Sequence, residues 1–168
     1  MTEIHPTNKN EVAWTSWLPA LGFALARSTG PVLEIGIGHF STPFLHEYCK
    51  GSGRELWSVE SDQSWFVAFR NKFHSEFHRF GYPVDHVVPK QFVRDIRFGV
   101  TFIDNSPGGE ARARPFKTAL LNSDYIVVHD YHRENEEAIK PLLDGVNYRV
   151  FSDYEPPTLL ASALYPVQ

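Results

Sequence analysis

The stretch that most constrains this chain is residues 32–42, which read V-L-E-I-G-I-G-H-F-S-T. A short apolar run leads to two glycines one residue apart and then to a Ser-Thr pair, which predicts a strand, a tight turn and the first turn of a helix. Gly36 and Gly38 lack a Cβ atom, so the backbone can turn sharply there and approach a ligand closely. Ser41 or Thr42 can accept hydrogen bonds from the free amides at the start of the helix. The pattern is typical of a cofactor-binding loop, and a purely structural strand-to-helix turn is the alternative.

A second predicted strand, residues 55–59, ends on Glu60, which lies 22 positions after Gly38. In a unit of strand, glycine turn, helix and strand that binds a mononucleotide, an acidic residue at this place meets the ribose hydroxyls of the adenosine. The dinucleotide fingerprint requires a third glycine at position 41, which is Ser41 here, and the chain has no Gly-Lys-Ser or Gly-Lys-Thr of a phosphate-binding loop. The residues therefore favour an adenosine-containing cofactor and disfavour a nicotinamide dinucleotide.

Length and charge limit the kinds of protein that this chain can be. A length of 168 residues predicts one domain, with an N-terminal arm and helix over residues 1–30 and a core over residues 31–168. The net charge of -4, without a broad basic surface, gives no support for a nucleic-acid partner. The single cysteine, Cys49, suits a reducing compartment, and the N-terminus lacks a signal-peptide pattern. The apolar run Leu18–Ala26 is shorter than the roughly 20 residues that a membrane span needs. The expected protein is cytoplasmic and has no membrane partner.

Strands and helical segments alternate along most of the chain. The predicted strands are residues 31–35, 55–59, 84–88, 99–103, 125–128, 148–152 and 158–164. The predicted helices are residues 11–27, with a break near Pro19, and residues 42–49, 62–80, 110–121 and 133–143. A turn at Pro156-Pro157 is all that separates the last two strands, so they are expected to form an antiparallel hairpin at the edge of the sheet. The pattern predicts a three-layer α/β fold with a seven-stranded, mostly parallel sheet.

Two polar segments, residues 104–109 and 129–132, directly follow predicted parallel strands. The carboxyl ends of such strands meet at one edge of the sheet, so both segments are expected to face the same cleft. A neutral imidazole can remove a proton near pH 7, which makes His129 or His132 a candidate general base. The alternative is that Asp104 and Asp130 cap turns and that the histidines are polar loop residues.

Together these motifs resemble the class I S-adenosylmethionine-dependent methyltransferases. Residues 34–38, E-I-G-I-G, are similar to the first motif of that family, acidic-x-Gly-x-Gly, and Glu60 matches the acidic residue that holds the ribose. Residues 102–104, F-I-D, match the acidic end of the family's fourth strand. The predicted hairpin stands where the family inserts an antiparallel strand. The resemblance covers about residues 32–164 and implies a Rossmann-like sandwich.

The resemblance implies S-adenosylmethionine as the cofactor and methyl transfer as the activity. The residues that it assigns to the cofactor are Glu34, Gly36, Gly38, Ser41, Thr42, Glu60 and Asp104. It further implies that Glu34 orders the loop and holds the methionine amino group indirectly. The predicted partner is a small-molecule substrate, with an oxygen acceptor favoured over nitrogen, and a homodimer is one assembly that the sequence leaves open. The alternatives are a non-catalytic binding subunit with this fold and a nucleotide-binding oxidoreductase, which Ser41 and the chain length disfavour.

Asp104, His129 and Asp130 are the predicted catalytic residues. In the catechol-type branch of the family, a carboxylate after the fourth strand and an Asp-Asn pair after the fifth bind a divalent ion that lowers the pKa of a substrate hydroxyl. Asp104 and Asp130 match two of those ligands, but Tyr131 stands where the asparagine is expected. The metal site is therefore the alternative to a metal-free hypothesis in which a histidine is the general base.

Other residues are predicted to be structural. Aromatic side chains at helical spacing usually belong to the core, whereas charged and imidazole side chains on a helix are usually solvated. The residues predicted to pack in the interior are Trp14, Trp17, Trp57, Trp65 and the phenylalanine stripe of the helix at 62–80. For the first two, closure of the cleft over a ligand is the alternative. The residues predicted on solvated helix faces are His74, His78, Arg112 and Arg114. For the two arginines, contact with an acidic substrate is the alternative.

Overall fold

Seven strands and five helices alternate along residues 15–82 and 96–168, which the computed structural model describes. The strands are β1 (Val32–Ile35), β2 (Leu56–Val59), β3 (His78–Gly81), β4 (Phe98–Ile103), β5 (Ser123–Val128), β6 (Asn147–Phe151) and β7 (Thr158–Ser162). The helices are α1 (Leu18–Ala26), α2 (Ser41–Ser52), α3 (Gln63–Phe73), α4 (Glu110–Asn122) and α5 (Glu134–Ile139), and a 3-10 turn, Lys140–Leu142, follows α5.

The strands form one sheet in the order β3-β2-β1-β4-β5-β7-β6. The first five strands of this order run parallel, whereas β7 pairs antiparallel with both β5 and β6. Residues 152–157 join β6 to β7 and are too few for a helical crossover, so the chain has to return antiparallel. The predicted fold, a three-layer Rossmann-like sandwich with a mostly parallel sheet and an antiparallel edge hairpin, is confirmed.

Helices bury the sheet on both faces, because successive side chains of a strand point to opposite sides. In β5, Ile126 and Val128 belong to the core cluster that also contains residues of α4 and α5. Tyr125 and Val127 belong to the cluster that contains residues of α1 and α2. Glu34 of β1 bonds to side chains of α2, so a carboxylate lies on that second, otherwise apolar side.

The prediction of one helix over residues 62–80 is wrong. α3 ends at Phe73, and His78–Gly81 pairs in parallel with β2 as strand β3. The aromatic spacing fits a helix, but the edge of β2 offers backbone hydrogen-bond partners that a longer helix would leave unsatisfied. His78 is fully buried, so the prediction of a solvated helix face is wrong for this residue as well. The predicted third strand, residues 84–88, lies outside the described residues.

The start of the described chain also differs from the predicted helix at 11–27. α1 begins at Leu18, with Pro19 in its first turn, where the missing amide proton costs no intrahelical hydrogen bond. Residues 1–14, including Trp14, lie outside the described residues. In the part of the chain that is described, no helix is both long enough and apolar enough to cross a membrane.

Candidate functional site at the carboxyl edge of the sheet

The carboxyl ends of the parallel strands open into a cleft of about 780 Å³. Its lining includes the glycine loop after β1, Glu60 after β2, Asp104 after β4 and Asp130 after β5. Ligands bind at this edge in open α/β sheets, where the loops of neighbouring strands leave a crevice between them. The prediction that both polar segments face the same cleft is therefore confirmed for Asp104, Ser106 and Asp130, and the glycine loop lines that cleft as well.

Glycine is required at two positions of the loop between β1 and α2. Gly36 has a φ of 92°, and a Cβ atom added to it would lie 2.5 Å from backbone atoms of Asp104. A Cβ atom at Gly38 would lie 2.7 Å from Ser41 Oγ. The Gly38 amide donates to Thr42 Oγ1 at 3.1 Å. The loop after β1 thus packs directly against the loop after β4, and its backbone forms one wall of the cleft.

Glu34 holds this loop from behind. Its Oε1 accepts hydrogen bonds from Ser41 Oγ at 2.8 Å and Thr42 Oγ1 at 2.9 Å, and its Oε2 accepts from Ser58 Oγ at 2.5 Å. Burial raises the pKa of Glu34 to about 7, and the three hydroxyl donors limit this rise. The predicted capping of helix amides by Ser41 or Thr42 is wrong: among the described residues α2 has no side-chain cap, since both hydroxyls donate to Glu34. Ser41 lines the cleft, whereas the described lining does not include Glu34 or Thr42.

Glu60 joins the end of β2 to the glycine loop. Its Oε2 accepts from the Ile37 amide at 3.0 Å, and its Oε1 accepts from the Asp62 amide at 2.7 Å. Asp62 in turn caps α3, because its Oδ1 accepts from the Trp65 amide at 2.9 Å. The predicted ribose-binding residue is therefore fixed by backbone amides on both sides and lies in the cleft lining.

Two tryptophans belong to the apolar part of the lining. Trp65 is 37% exposed and its ring lies 4.8 Å from the ring of His39, centroid to centroid, so the prediction that Trp65 belongs to the core is wrong. It sits in the first turn of α3 and lines the cleft. Trp17 is 2% exposed and packs on Phe102 at 5.6 Å, and it also lines the cleft. The predicted packing of Trp17 in the interior is therefore confirmed, and closure over a ligand stays a prediction.

Arg112 links the two aspartates. Its Nη2 lies 3.0 Å from Asp104 Oδ1 and 3.5 Å from Asp130 Oδ2, and its Nε donates to the carbonyl oxygen of Asn105 at 2.8 Å. Its side chain is 6% exposed, so the prediction of a surface residue is wrong, while Arg114, 65% exposed, is on the surface as predicted. Spacing could have separated them, since residues two apart on a helix face different sides.

His129 lies behind the aspartates. Its Nδ1 is 3.2 Å from Asp104 Oδ2 and 3.9 Å from Asp130 Oδ1, and its Nε2 is 3.0 Å from the Ser16 hydroxyl, which donates to a backbone carbonyl. His129 is 3% exposed. Neither His129 nor His132 is among the described residues that line the cleft. His129 Nδ1 makes no hydrogen bond among the described residues, so the ring lies beside Asp104 without fixing it.

Asn135 of α5 joins the loops that follow β4 and β5. Its Nδ2 donates to the carbonyl oxygen of Asp130 at 2.8 Å, and its Oδ1 accepts from the Gly109 amide at 2.6 Å. Asp130 has a φ of 53°, a left-handed conformation that costs energy outside glycine. The asparagine therefore stabilises a strained backbone beside the cleft. Sequence reasoning missed Asn135, because an asparagine in a short helix carries no pattern that would single it out.

The residues do not fit the catechol-type metal site. Asp104, His129 and Asp130 each offer one ligand atom, and these atoms lie within 4.8 Å of one another. Arg112, however, already contacts one oxygen of each carboxylate and supplies the positive charge that an ion would bring. Burial raises the pKa of Tyr131 to about 12, so the residue at the place of the asparagine stays protonated, and its ring belongs to the core cluster. No step proposed below involves a metal.

No family model matches the sequence, and no curated protein matches it. Solved structures match it in fold. The SAH-bound methyltransferase PaMTH1 of Podospora anserina is 11% identical, with a TM-score of 0.62 and coverage of 96% of this chain and 99% of that one. An rRNA methylase of Streptococcus thermophilus is 9% identical, with a TM-score of 0.59 and coverage of 83% and 91%. The spermidine synthase of Thermotoga maritima is 17% identical, with a TM-score of 0.60 and coverage of 94% and 62%. Such identities establish a fold and not an activity. The chain has the fold of the class I methyltransferases.

Proposed function

We propose that the protein is an S-adenosylmethionine-dependent methyltransferase that acts on a small molecule and transfers the methyl group to oxygen. One observation carries this proposal: the glycine loop, Glu60 and the paired carboxylates of Asp104 and Asp130 line a single cleft at the carboxyl edge of a methyltransferase fold. The fold by itself would not suffice, because it is shared with a spermidine synthase.

The proposed cofactor end of the cleft is the glycine loop. Gly36, Gly38 and Ser41 line it, and Glu60 stands at the end of the second strand, where this class of sheet binds an adenosine ribose. Bound S-adenosylmethionine supplies a methyl group on a positively charged sulfur. Trp65 and the neighbouring His39 ring offer an aromatic surface suited to an adenine base. Glu34 and Thr42 contribute from behind, by fixing the loop.

The charge and size of the cleft support a small acceptor that is neutral or cationic. The described lining carries the carboxylates of Glu60, Asp62, Asp104 and Asp130 and the guanidinium of Arg112. Such a surface repels a polyanion such as RNA, although an rRNA methylase shares the fold. The volume of about 780 Å³ lies within the range of small-molecule sites, roughly 300–1,000 Å³, and has to hold cofactor and acceptor together.

Asp104 is the proposed general base. Its Oδ1 accepts a hydrogen bond from Arg112 at 3.0 Å, which fixes the direction of the carboxylate in the cleft. Asp104 would take the proton of the acceptor hydroxyl, while bound S-adenosylmethionine would supply the methyl group to the acceptor oxygen. This displacement depends on alignment of the reacting atoms more than on acid-base strength. Asp130 orients the acceptor, and His129, a predicted catalytic residue, lies behind both carboxylates and is given no part in the proton transfer.

Calorimetric titration with S-adenosylhomocysteine, the demethylated product, tests the cofactor assignment. Glu60→Ala should weaken binding at least about tenfold, because hydrogen bonds to a carboxylate are lost. Glu55→Ala, at the opposite end of β2 and outside the described cleft lining, is the matched control and should bind like the wild type. The assignment fails if the wild type does not bind, or if Glu60→Ala binds equally well.

A screen of small alcohols, phenols and amines, read out as S-adenosylhomocysteine formed, tests the reaction. Asp104→Asn should lower kcat about 10²–10⁴-fold, the usual contribution of a general base, with the Kd of the cofactor product little changed. Asp144→Asn, at an exposed surface position, is the control. Turnover of amines alone would move the acceptor from oxygen to nitrogen, for which the acidic cleft is also suited. Cofactor binding without turnover of any acceptor would favour the non-catalytic alternative.

A further inference from the structure

A chain of hydrogen bonds leads from Glu34 through the interior to the surface of α2. Glu34 Oε2 accepts from Ser58 Oγ at 2.5 Å, Ser58 Oγ lies 2.9 Å from His78 Nε2, and His78 Nδ1 lies 2.9 Å from His46 Nδ1. The first three residues are fully buried, and His46 is half-buried. The residues come from β1, β2, β3 and α2, and the parallel register places Glu34 directly beside Ser58. The sheet order itself therefore assembles this chain.

The donors of the chain all point toward Glu34 when its carboxyl group is ionised. A carboxylate accepts hydrogen bonds, so Ser58 donates its hydroxyl proton and accepts from Nε2–H of His78. Burial lowers the pKa of His78 to about 3, so its ring is neutral and carries one proton. With that proton on Nε2, the Nδ1 atom is an acceptor, and Nδ1–H of His46 donates to it. One arrangement of protons satisfies all three hydrogen bonds.

Protonation of Glu34 exchanges donor and acceptor in every hydrogen bond of the chain. A proton taken from water by His46 Nε2 is balanced by transfer of the Nδ1 proton of His46 to His78 Nδ1. The Nε2 proton of His78 passes to Ser58 Oγ, and the hydroxyl proton of Ser58 passes to Glu34. The carboxyl group is then neutral, and its hydrogen bonds from the two α2 hydroxyls lose their charge assistance. The chain thus connects the charge of a buried carboxyl group to solvent.

The groups around Glu34 set its pKa together with its burial. From α2, two hydroxyls donate to Oε1, and Cys49 faces it as a neutral thiol, because burial raises the pKa of that thiol to about 12. From β4, the charge of Asp104 raises the pKa of Glu34. His74 lies near His78 and contributes to the lowered pKa of that ring. Burial outweighs all hydroxyl donors, and the pKa of Glu34 is about 7.

We propose that Ser58, His78 and His46 are positioning residues for cofactor binding. Their aligned donors favour the ionised form of Glu34, and this carboxylate holds the glycine loop through the two hydroxyls at the start of α2. The inference rests on the proposed function, in that the loop is taken to bind S-adenosylmethionine. A loop fixed in this way binds the cofactor more tightly when Glu34 is ionised, so binding becomes dependent on pH.

Calorimetric titration with S-adenosylhomocysteine at about pH 6, 7 and 8.5 tests this inference. Wild-type binding should tighten about tenfold over this range, because the ionised fraction of a group with a pKa of about 7 rises by that factor. Ser58→Ala removes the last donor and raises the pKa of Glu34 further, so its Kd should be up to about tenfold weaker than that of the wild type at pH 6. At pH 8.5 the two Kd values should nearly coincide. Ser52→Ala, whose hydroxyl bonds to carbonyls of its own helix, is the matched control.

His46→Phe supplies a second test at the half-buried end of the chain. It keeps a ring beside Phe73 and Phe77 but removes the donor to His78. Its Kd should therefore also exceed that of the wild type at pH 6 and approach it at pH 8.5, by a smaller factor than the Kd of Ser58→Ala. If Ser58→Ala does not fold, the inference is tested with His46→Phe alone. The inference is overturned if a variant weakens binding by the same factor at every pH, or if the wild-type Kd does not change with pH. Either result leaves the proposed function intact. Absence of binding at every pH overturns both.

Discussion

Replacing Glu34 with glutamine should remove a pH dependence of stability that the wild-type protein has. Glu34 is fully buried, and burial raises its pKa from 4.5 to about 7. Between these values the unfolded chain has lost the proton while the folded chain retains it, so the free energy of unfolding falls as pH rises. The contribution of Glu34 to stability is therefore complete below about pH 4.5 and lost above about pH 7.

The size of the effect follows from the two pKa values. At 1.36 kcal/mol for each pH unit, their difference corresponds to about 3 kcal/mol. Glutamine has nearly the same shape as glutamate and does not ionise. The stability of Glu34→Gln relative to the wild type should accordingly rise by about 3 kcal/mol between about pH 4.5 and pH 7.5. Comparing the two proteins cancels the titration of other groups, which both of them share.

Urea unfolding followed by tryptophan fluorescence, at several pH values across this range, measures the difference. The control is Glu47→Gln, which replaces an exposed glutamate of α2, and its stability relative to the wild type should not change with pH. A difference between Glu34→Gln and the wild type that stays constant with pH would refute the reasoning. It would mean that burial does not move the titration of this carboxyl group.

Three further outcomes are expected. Gly36→Ala should destabilise the fold by about 2 kcal/mol or more in urea unfolding, because its positive φ and the backbone 2.5 Å from the added Cβ leave no relaxed position. The control is Gly51→Ala in α2, which meets nothing within 4 Å and should be neutral or stabilise by up to about 1 kcal/mol, because alanine favours a helix over glycine. Arg112→Met should cost about 3 kcal/mol by leaving two carboxylates without their partner, and the exposed Arg114→Met should change stability by less than about 0.5 kcal/mol. Chelation by EDTA should leave methyl transfer unchanged, since Arg112 provides the positive charge at the acidic edge, and a loss that Mg²⁺ restores would contradict this.

Much of the site was predictable because its residues occupy fixed places in a repeating pattern. The glycines, Glu60, Asp104 and Asp130 each follow a strand directly, and parallel strands bring their carboxyl ends to one edge. The boundary of α3 was not predictable in the same way, since the aromatic spacing of residues 62–80 fits a helix. Pairing of His78–Gly81 with β2 is a long-range contact that outweighs local preference.

The sequence by itself determined the order of strands and helices apart from β3, the glycine turn and the acidic residues at the strand ends, because these depend on local backbone rules and on side-chain periodicity. The tertiary structure decided which polar side chains meet. Arg112 reaches the aspartates because α4 packs over the ends of β4 and β5, and His78 reaches Ser58 because β3 joins the edge of β2. The charge of Glu34 depends on such contacts as well, since burial and hydroxyl donors from α2 and β2 fix it together. Interactions of this kind join residues far apart in the chain, and local sequence carries no record of them.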